Sequence, residues 1–327
     1  MQRTSLNPPN TTVPSPGIFE TIADGISWTV ARPLLMIAPV LLDLYLWLGA
    51  RLSPIPLTRP LAAWLRRQPN GDEREVIAVA EQVERVSDMA PILTSFVPSL
   101  LIRVDRDRVA EIWHRTDLTP SSAWWVPVIA VGLVLGGAAL AMAYHVAVAA
   151  ALRGDDAAAS ALGREVVVAS LRYAAFLSLL AVVLGILAIP AAIMVFVFQL
   201  LGVNVTPLLI PPLLAAGLLL RFVPDSIAFN RVGPLRAVFL SVGVVRRNVW
   251  SSLGFVTVML LTSSGLALAL GFLVNGPLGV ALAVAAYSLV ATGLTVAQTR
   301  FFADRLRRWR PDIPPVLPGT ARPLGAR

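Results

Sequence analysis

Long aliphatic runs alternate along this chain with short stretches that gather nearly all of its charge. Crossing a bilayer as a helix takes about 20 predominantly apolar residues. Six runs approach or exceed that length: Pro33–Ala50, Trp124–Leu152, Leu171 to about residue 201, Pro207–Phe222, Val249 to about residue 274, and about 278 to Thr299. The pattern predicts an all-α, polytopic helical membrane protein with about six transmembrane helices and a small helical extramembrane cap. The first run is the weakest, since it is short and contains Pro39 and Asp43; a re-entrant or interfacial helix is its alternative. Pro190 predicts a kink in the third. Trp28, Trp47, Trp124, Trp125 and Trp250 fall near the ends of the runs, where indole prefers the headgroup layer.

The intervening polar pattern divides the rest. Residues 1–27, with "NPPNTTVPSPG", read as a disordered tail, 28–52 as the first span, and 53–122 as a helical extracytoplasmic cap. In the cap, Val76, Val79, Val83 and Val86 recur at helical spacing, and "DRDRVAEIWHR" reads as a second amphipathic helix with Val109, Ile112 and Trp113 on one side. Between them Pro91–Ile102 is apolar but too short to span, so it is expected to pack on the membrane domain or lie at the interface. Residues 123–300 form a five-helix membrane domain with a cytoplasmic interfacial helix over 233–248. Val238, Val242, Val245 and Val249 make the apolar stripe of that helix, and Arg236, Gly243 and Arg247 lie nearly opposite. Residues 301–327 read as a basic, proline-rich tail.

Charge orients this frame. Two arginines precede the first span, three lie in 151–172, five in 221–248 and seven from Arg300 onward, while the turns at 202–206 and 275–277 have none. With six alternating spans every arginine-rich short segment falls on one side, so both termini are expected in the cytoplasm, in the plasma membrane of a prokaryote. The ten arginines of 51–122 fall on the opposite side. Ten acids balance them, in a segment too long for its charge to steer topology. Only 14% of residues are charged and mean hydropathy is +0.73, which excludes an ordinary soluble domain. The net charge of +8 lies between spans and not on a soluble face, so membrane lipids, or another membrane protein beside them, are the expected partners, and nucleic acid is not. All 27 basic residues are arginine, which fits either phosphate recognition or a coding bias against lysine. No cysteine is present, and His114 and His145 stand far apart, so no metal site and no cofactor are expected.

Candidate chemistry is sparse. The arginines of the 221–250 stretch, Arg221, Arg231, Arg236, Arg246 and Arg247, are candidates for a phosphate or lipid-headgroup site; the plainer reading is a topology-setting elbow. Asp43, the one acid inside a predicted span, suits a proton or cation path, or a structural bond to backbone or to Arg51. His145, beside Tyr144, is either a buried hydrogen-bonded side chain or a ligand or proton carrier. Gly132, Gly136 and Gly137 offer a face for close helix packing. Pro190 and Pro211–Pro212 could break helices around a substrate, but only Gln199 and Asn204 supply polarity nearby. Residues 153–222 and 231–300 share one order of basic loop, span, bare turn and span, a faint parallel repeat.

The stretch "RFVPDSIAFNRVGPLRAVFLSVGVVRRNVWSSLGFVTVMLL" resembles the late half of the glycerophosphodiester phosphodiesterase membrane-domain superfamily and related six-span bacterial membrane proteins, through Phe222, Pro224, Ala237, Ser241, Arg246, Arg247 and Trp250. The resemblance implies a six-span module that is sometimes joined to a separate catalytic domain. This chain has no acid–histidine constellation to replace such a domain, so no enzyme activity is expected. The expected role is a non-catalytic accessory or scaffold module contacting anionic lipid or a partner membrane protein; the alternative is a transporter or channel for a small or amphipathic solute.

Overall fold

The computed structural model describes residues 16–67, 81, 88–101, 103, 116–154, 159–201 and 206–310. Its helices are α1 (Ile18–Val30), α2 (Ile37–Leu48), α3 (Ile55–Leu65), α4 (Trp125–Arg153), α5 (Ala159–Leu200), α6 (Thr206–Leu220), α7 (Val223–Asn230), α8 (Pro234–Arg247), α9 (Val249–Gly271) and α10 (Pro277–Trp309). Five helical stretches are long and apolar enough to cross a membrane: α4, α5, α6 with α7, α9, and α10. A sixth results if α1 and α2 count as one bent span. The chain is thus a polytopic helical membrane protein. Among the described residues the one β feature is a two-residue parallel ladder, Arg51 opposite Asp117 and Leu52 opposite Leu118.

The bundle is organised around α10, which supplies core residues to three hydrophobic clusters. Val296 and Ala303 pack with α4, α5 and α7; Val284 and Tyr287 pack with α2 and α9; Leu294 and Phe302 pack with α1, α8 and α9. In contrast α5 and α6 turn large aliphatic side chains outward, among them Ile186, Leu187, Ile189, Leu213 and Leu214, as suits surfaces against lipid tails.

Three expectations need correction at the ends of the chain. Residues 18–27 are not a tail but most of α1. The Gly17 N–H donates to Glu20 Oε2 at 3.2 Å, and this closes the first turn. Gly25 and Gly293 let α1 lie against α10, since a Cβ on Gly293 would stand 2.8 Å from the Cα of Ile26. The first apolar run is not one straight helix: the chain bends by 100° between α1 and α2, where Pro33 disfavours helix at Arg32, the geometry of a broken span or of a re-entrant segment. At the other end 301–309 continue α10 as far as Trp309, because Phe301, Phe302 and Leu306 are buried against α1, α8 and α9. Residues 1–15 and 311–327 lie outside the described residues.

The helix expected over 233–248 is present as α8, but its faces are set differently. It buries Ala237, Leu240, Ser241 and Val244 against protein, together with Val245, while Val238 and Val242 are only half-buried and Val249 is exposed. Its outward apolar edge is Leu235 and Phe239, four residues apart. Of the cap, α3 is described; the valine stripe from Val76 to Val86 and the helix expected around Val109–Trp113 lie outside the described residues. Helix α5 runs through Pro190 without interruption and begins twelve residues before Leu171.

Candidate functional site

The segment 90–101 decides where the site is. Ala90–Phe96 forms a 3₁₀ helix and the chain extends from Val97, so the backbone that follows needs partners outside the segment. It is seated against the middle of α4: a Cβ on Gly137 would stand 2.8 Å from the carbonyl oxygen of Leu93. Gly137 lies roughly 18 Å along a helix about 43 Å long, at 1.5 Å per residue. Irregular backbone at such a level is tolerated only where protein buries it or a polar cavity solvates it. Here Asp43 does the first. Fully buried in α2, its carboxylate accepts the N–H of Leu100 at 3.0 Å and that of Leu101 at 3.5 Å, together with the Ser99 hydroxyl. Asp43 therefore bonds backbone, as one of its two readings held, but the backbone is that of a distant segment and its partner is not Arg51. Arg103 ties the end of the segment to α9, with Nη1 donating to Ser264 Oγ at 2.9 Å.

A second irregularity faces the first. The fourth span does not end at Phe222 but breaks there, between α6 and α7. Ser241 of α8 bridges the break, accepting the Phe222 N–H at 3.2 Å and donating to the Leu219 carbonyl at 2.6 Å. Phe222 stacks on Phe301 and Phe302 of α10, with ring centroids 5.9 and 5.7 Å away. Arg221 sits at this break. Among the described residues no side chain or carbonyl accepts a hydrogen bond from its guanidinium. One turn further on, Asp225 is buried and accepts from Gln298 Nε2 at 2.6 Å and Thr299 Oγ1 at 2.7 Å. His145 Nδ1 of α4 approaches the same carboxylate at 3.6 Å, a charge-pair distance.

Between these elements lies a cavity of about 280 Å³. Ser99 and Arg103 line it from the irregular segment, His145 from α4, Tyr173 from α5, Arg221 from the break, and Tyr287, Thr295 and Gln298 from α10. From α9 come the apolar Val256, Met259 and Leu260, with Ser263 beside them, and Leu260 is exposed. Two arginines thus face one space and act on each other electrostatically, while Asp225, the nearest acid to Arg221, is already held by α10. Such a space favours an anion. No group of three or more His, Cys, Asp or Glu among the described residues could hold a metal ion.

The five candidate arginines do not form one site. Arg221 alone enters the cavity. Arg231, in the left-handed conformation at φ 54°, is bidentate to Glu165, with Nε and Nη2 at 2.9 and 2.8 Å from its two oxygens. Glu165 also receives the buried Arg153 at 2.8 Å, and Arg153 donates on to the Ala228 carbonyl at 3.0 Å. Arg247 lies over the Trp309 ring at 4.8 Å, above Gly243, where any side chain would strike that ring. Arg236 and Arg246 point outward. His145 does reach the cavity, whereas Asp43 acts one layer behind it.

Sequence reading missed Asp225 as a site residue, and with it the polar stripe of α10: Ser288, Thr292, Thr295, Gln298 and Thr299, all buried. The signal was present. Positions i, i+4, i+7, i+10 and i+11 along "SLVATGLTVAQT" mark one helical face, and polar groups on a spanning helix turn toward the protein interior. No family model, curated protein or solved structure matches the chain.

Proposed function

We propose that this protein is a non-catalytic membrane carrier for an anionic amphiphile, a molecule with a phosphate- or carboxylate-type head and an apolar tail. Arg221 carries the reading. The guanidinium stands at the break of a spanning helix, exposed to the space it lines and without a hydrogen-bond acceptor among the described residues, so its donors are free for a ligand that supplies one. Arg103 faces the same space and adds a second donor fork. The apolar Val256, Met259 and Leu260 line that space too, and the exposed Leu260 suits a tail lying toward lipid. Broken helices and irregular backbone around a mid-bundle cavity are the usual means by which carriers expose polar groups to a solute. This reading keeps the expected contact with anionic lipid and moves it from the α8 elbow into the bundle. The cytoplasmic placement of both termini belongs to the same proposal, supported by the arginine-free turns.

Flux in proteoliposomes tests it. A short-chain fluorescent phosphatidic acid should cross vesicles holding the protein faster than protein-free vesicles, and faster than a phosphatidylcholine analogue. Arg221→Gln should remove most of the difference. Equal rates for both headgroups, or flux unchanged in Arg221→Gln, would refute a carrier selective for anions.

A further inference from the structure

The His145–Asp225 pair has no part yet in holding the anion, and its position gives it one. The imidazole is almost fully buried and forms part of the cavity wall, while its Nδ1 faces Asp225 Oδ1 at 3.6 Å. Nδ1 makes no hydrogen bond at this separation, so the ring is held beside the carboxylate and pairs with it by charge only when protonated. Asp225 is immobilised from the far side by Gln298 and Thr299 and belongs to the first turn of α7, directly after the break that carries Arg221. One imidazole thus connects a fixed buried carboxylate with the space in which Arg221 stands.

From this geometry we infer that His145 is a proton-binding site coupled to the anion site, so that the protein takes up its anion together with a proton. The inference rests on the carrier reading above. With His145 neutral, the nearby formal charges are Arg103 and Arg221 against Asp225, two positive and one negative. Protonation makes three positive against one negative, so the charge facing the ligand rises from +1 to +2. An anion in the cavity and a proton on the ring therefore favour each other, and by linkage each tightens the other by the same factor. The other titratable or charged groups around the ring are Tyr144 beside it on α4, Tyr173 on α5, Tyr287 on α10, Arg103, Arg221 and Asp225. Of these side-chain types histidine alone ordinarily changes charge between about pH 5 and 8. A structural histidine would hold Asp225 without exchanging a proton when ligand binds; a coupled one exchanges it.

Calorimetry with decanesulfonate separates these cases, because the charge of that probe does not change across the titration range. Binding to the detergent-solubilised protein is measured near neutral pH in two buffers of different ionisation enthalpy, which gives the number of protons taken up. We expect uptake of a fraction of a proton up to one, and affinity that rises as pH falls, by at most about tenfold per pH unit. His145→Gln should still bind the probe, more weakly, with no uptake. Binding without proton uptake in the wild type would overturn the proton site while leaving the carrier reading intact. No binding at any pH, or binding indifferent to Arg221→Gln, would overturn both. If His145→Gln does not fold, the wild-type measurement in the two buffers still decides.

Discussion

Asp43 and Leu100, 57 residues apart, meet inside the bundle, where the aspartate carboxylate accepts the leucine N–H at 3.0 Å. This contact holds a non-helical segment against the middle of α4 and so forms one wall of the cavity. Replacing Asp43 by Leu would leave the N–H of Leu100 unbonded and buried, at a cost of about 1–3 kcal/mol. Asp43→Asn retains an acceptor oxygen and should cost less. Thermal unfolding in detergent should rank wild type above Asp43→Asn and Asp43→Asn above Asp43→Leu; equal stabilities would mean that this carboxylate does not anchor the segment.

Glu165 is held by Arg153 and Arg231, which share its Oε1, but the two partners differ in exposure, with side chains 2% and 55% accessible. Removing the carboxylate takes the counter-charge from the buried Arg153, which keeps its carbonyl acceptors, so Glu165→Ala should destabilise the fold by about 3 kcal/mol. Arg231→Ala breaks a pair that water already screens, at a cost of about 0–1 kcal/mol. Denaturant unfolding of the two variants measures the difference, and the order Arg231→Ala worse than Glu165→Ala would reject this account of the clamp.

Gly293 is the point at which α1 touches α10. Gly293→Leu places atoms where the backbone of Ile26 now runs, and should lift α1 away. Limited proteolysis should then cut within residues 18–32 several times faster than in wild type, while α9 and α10 stay intact. Unchanged cleavage would show that α1 is not packed there.

Thr295 lines the cavity and the chain has no cysteine, so Thr295→Cys gives a unique reporter. A small charged thiol reagent should modify it, and decanesulfonate should slow the reaction several-fold. Ser252→Cys, buried away from the cavity, should stay unmodified under the same conditions. Labelling of Thr295→Cys unaffected by the anion would separate the cavity from the anion site.

Long apolar runs made the spanning helices legible, because length and hydropathy are local properties that need no knowledge of partners. The ends of the first and last spans were not. Arg32 and Pro33 read as a boundary, whereas α1 is stabilised beyond it by two glycines 268 residues apart in sequence. The elbow arginines were visible as charge, but their separate fates depend on Glu165 and Trp309, which approach only in three dimensions. That Asp225 lies beside His145 depends on how α4, α7 and α10 pack, which no local pattern in the sequence carries. The stripe on α10 could have been read from spacing alone, and it marks the face that builds the cavity.

Native mass spectrometry of the gently solubilised protein tests the central claim most directly. Wild type should retain a discrete adduct whose mass fits an anionic lipid or amphiphile, Arg221→Gln should lose it, and Arg246→Gln, whose side chain faces outward, should keep it. An adduct that survives Arg221→Gln, or disappears with Arg246→Gln instead, would contradict an anion site in the cavity and return the binding role to the elbow.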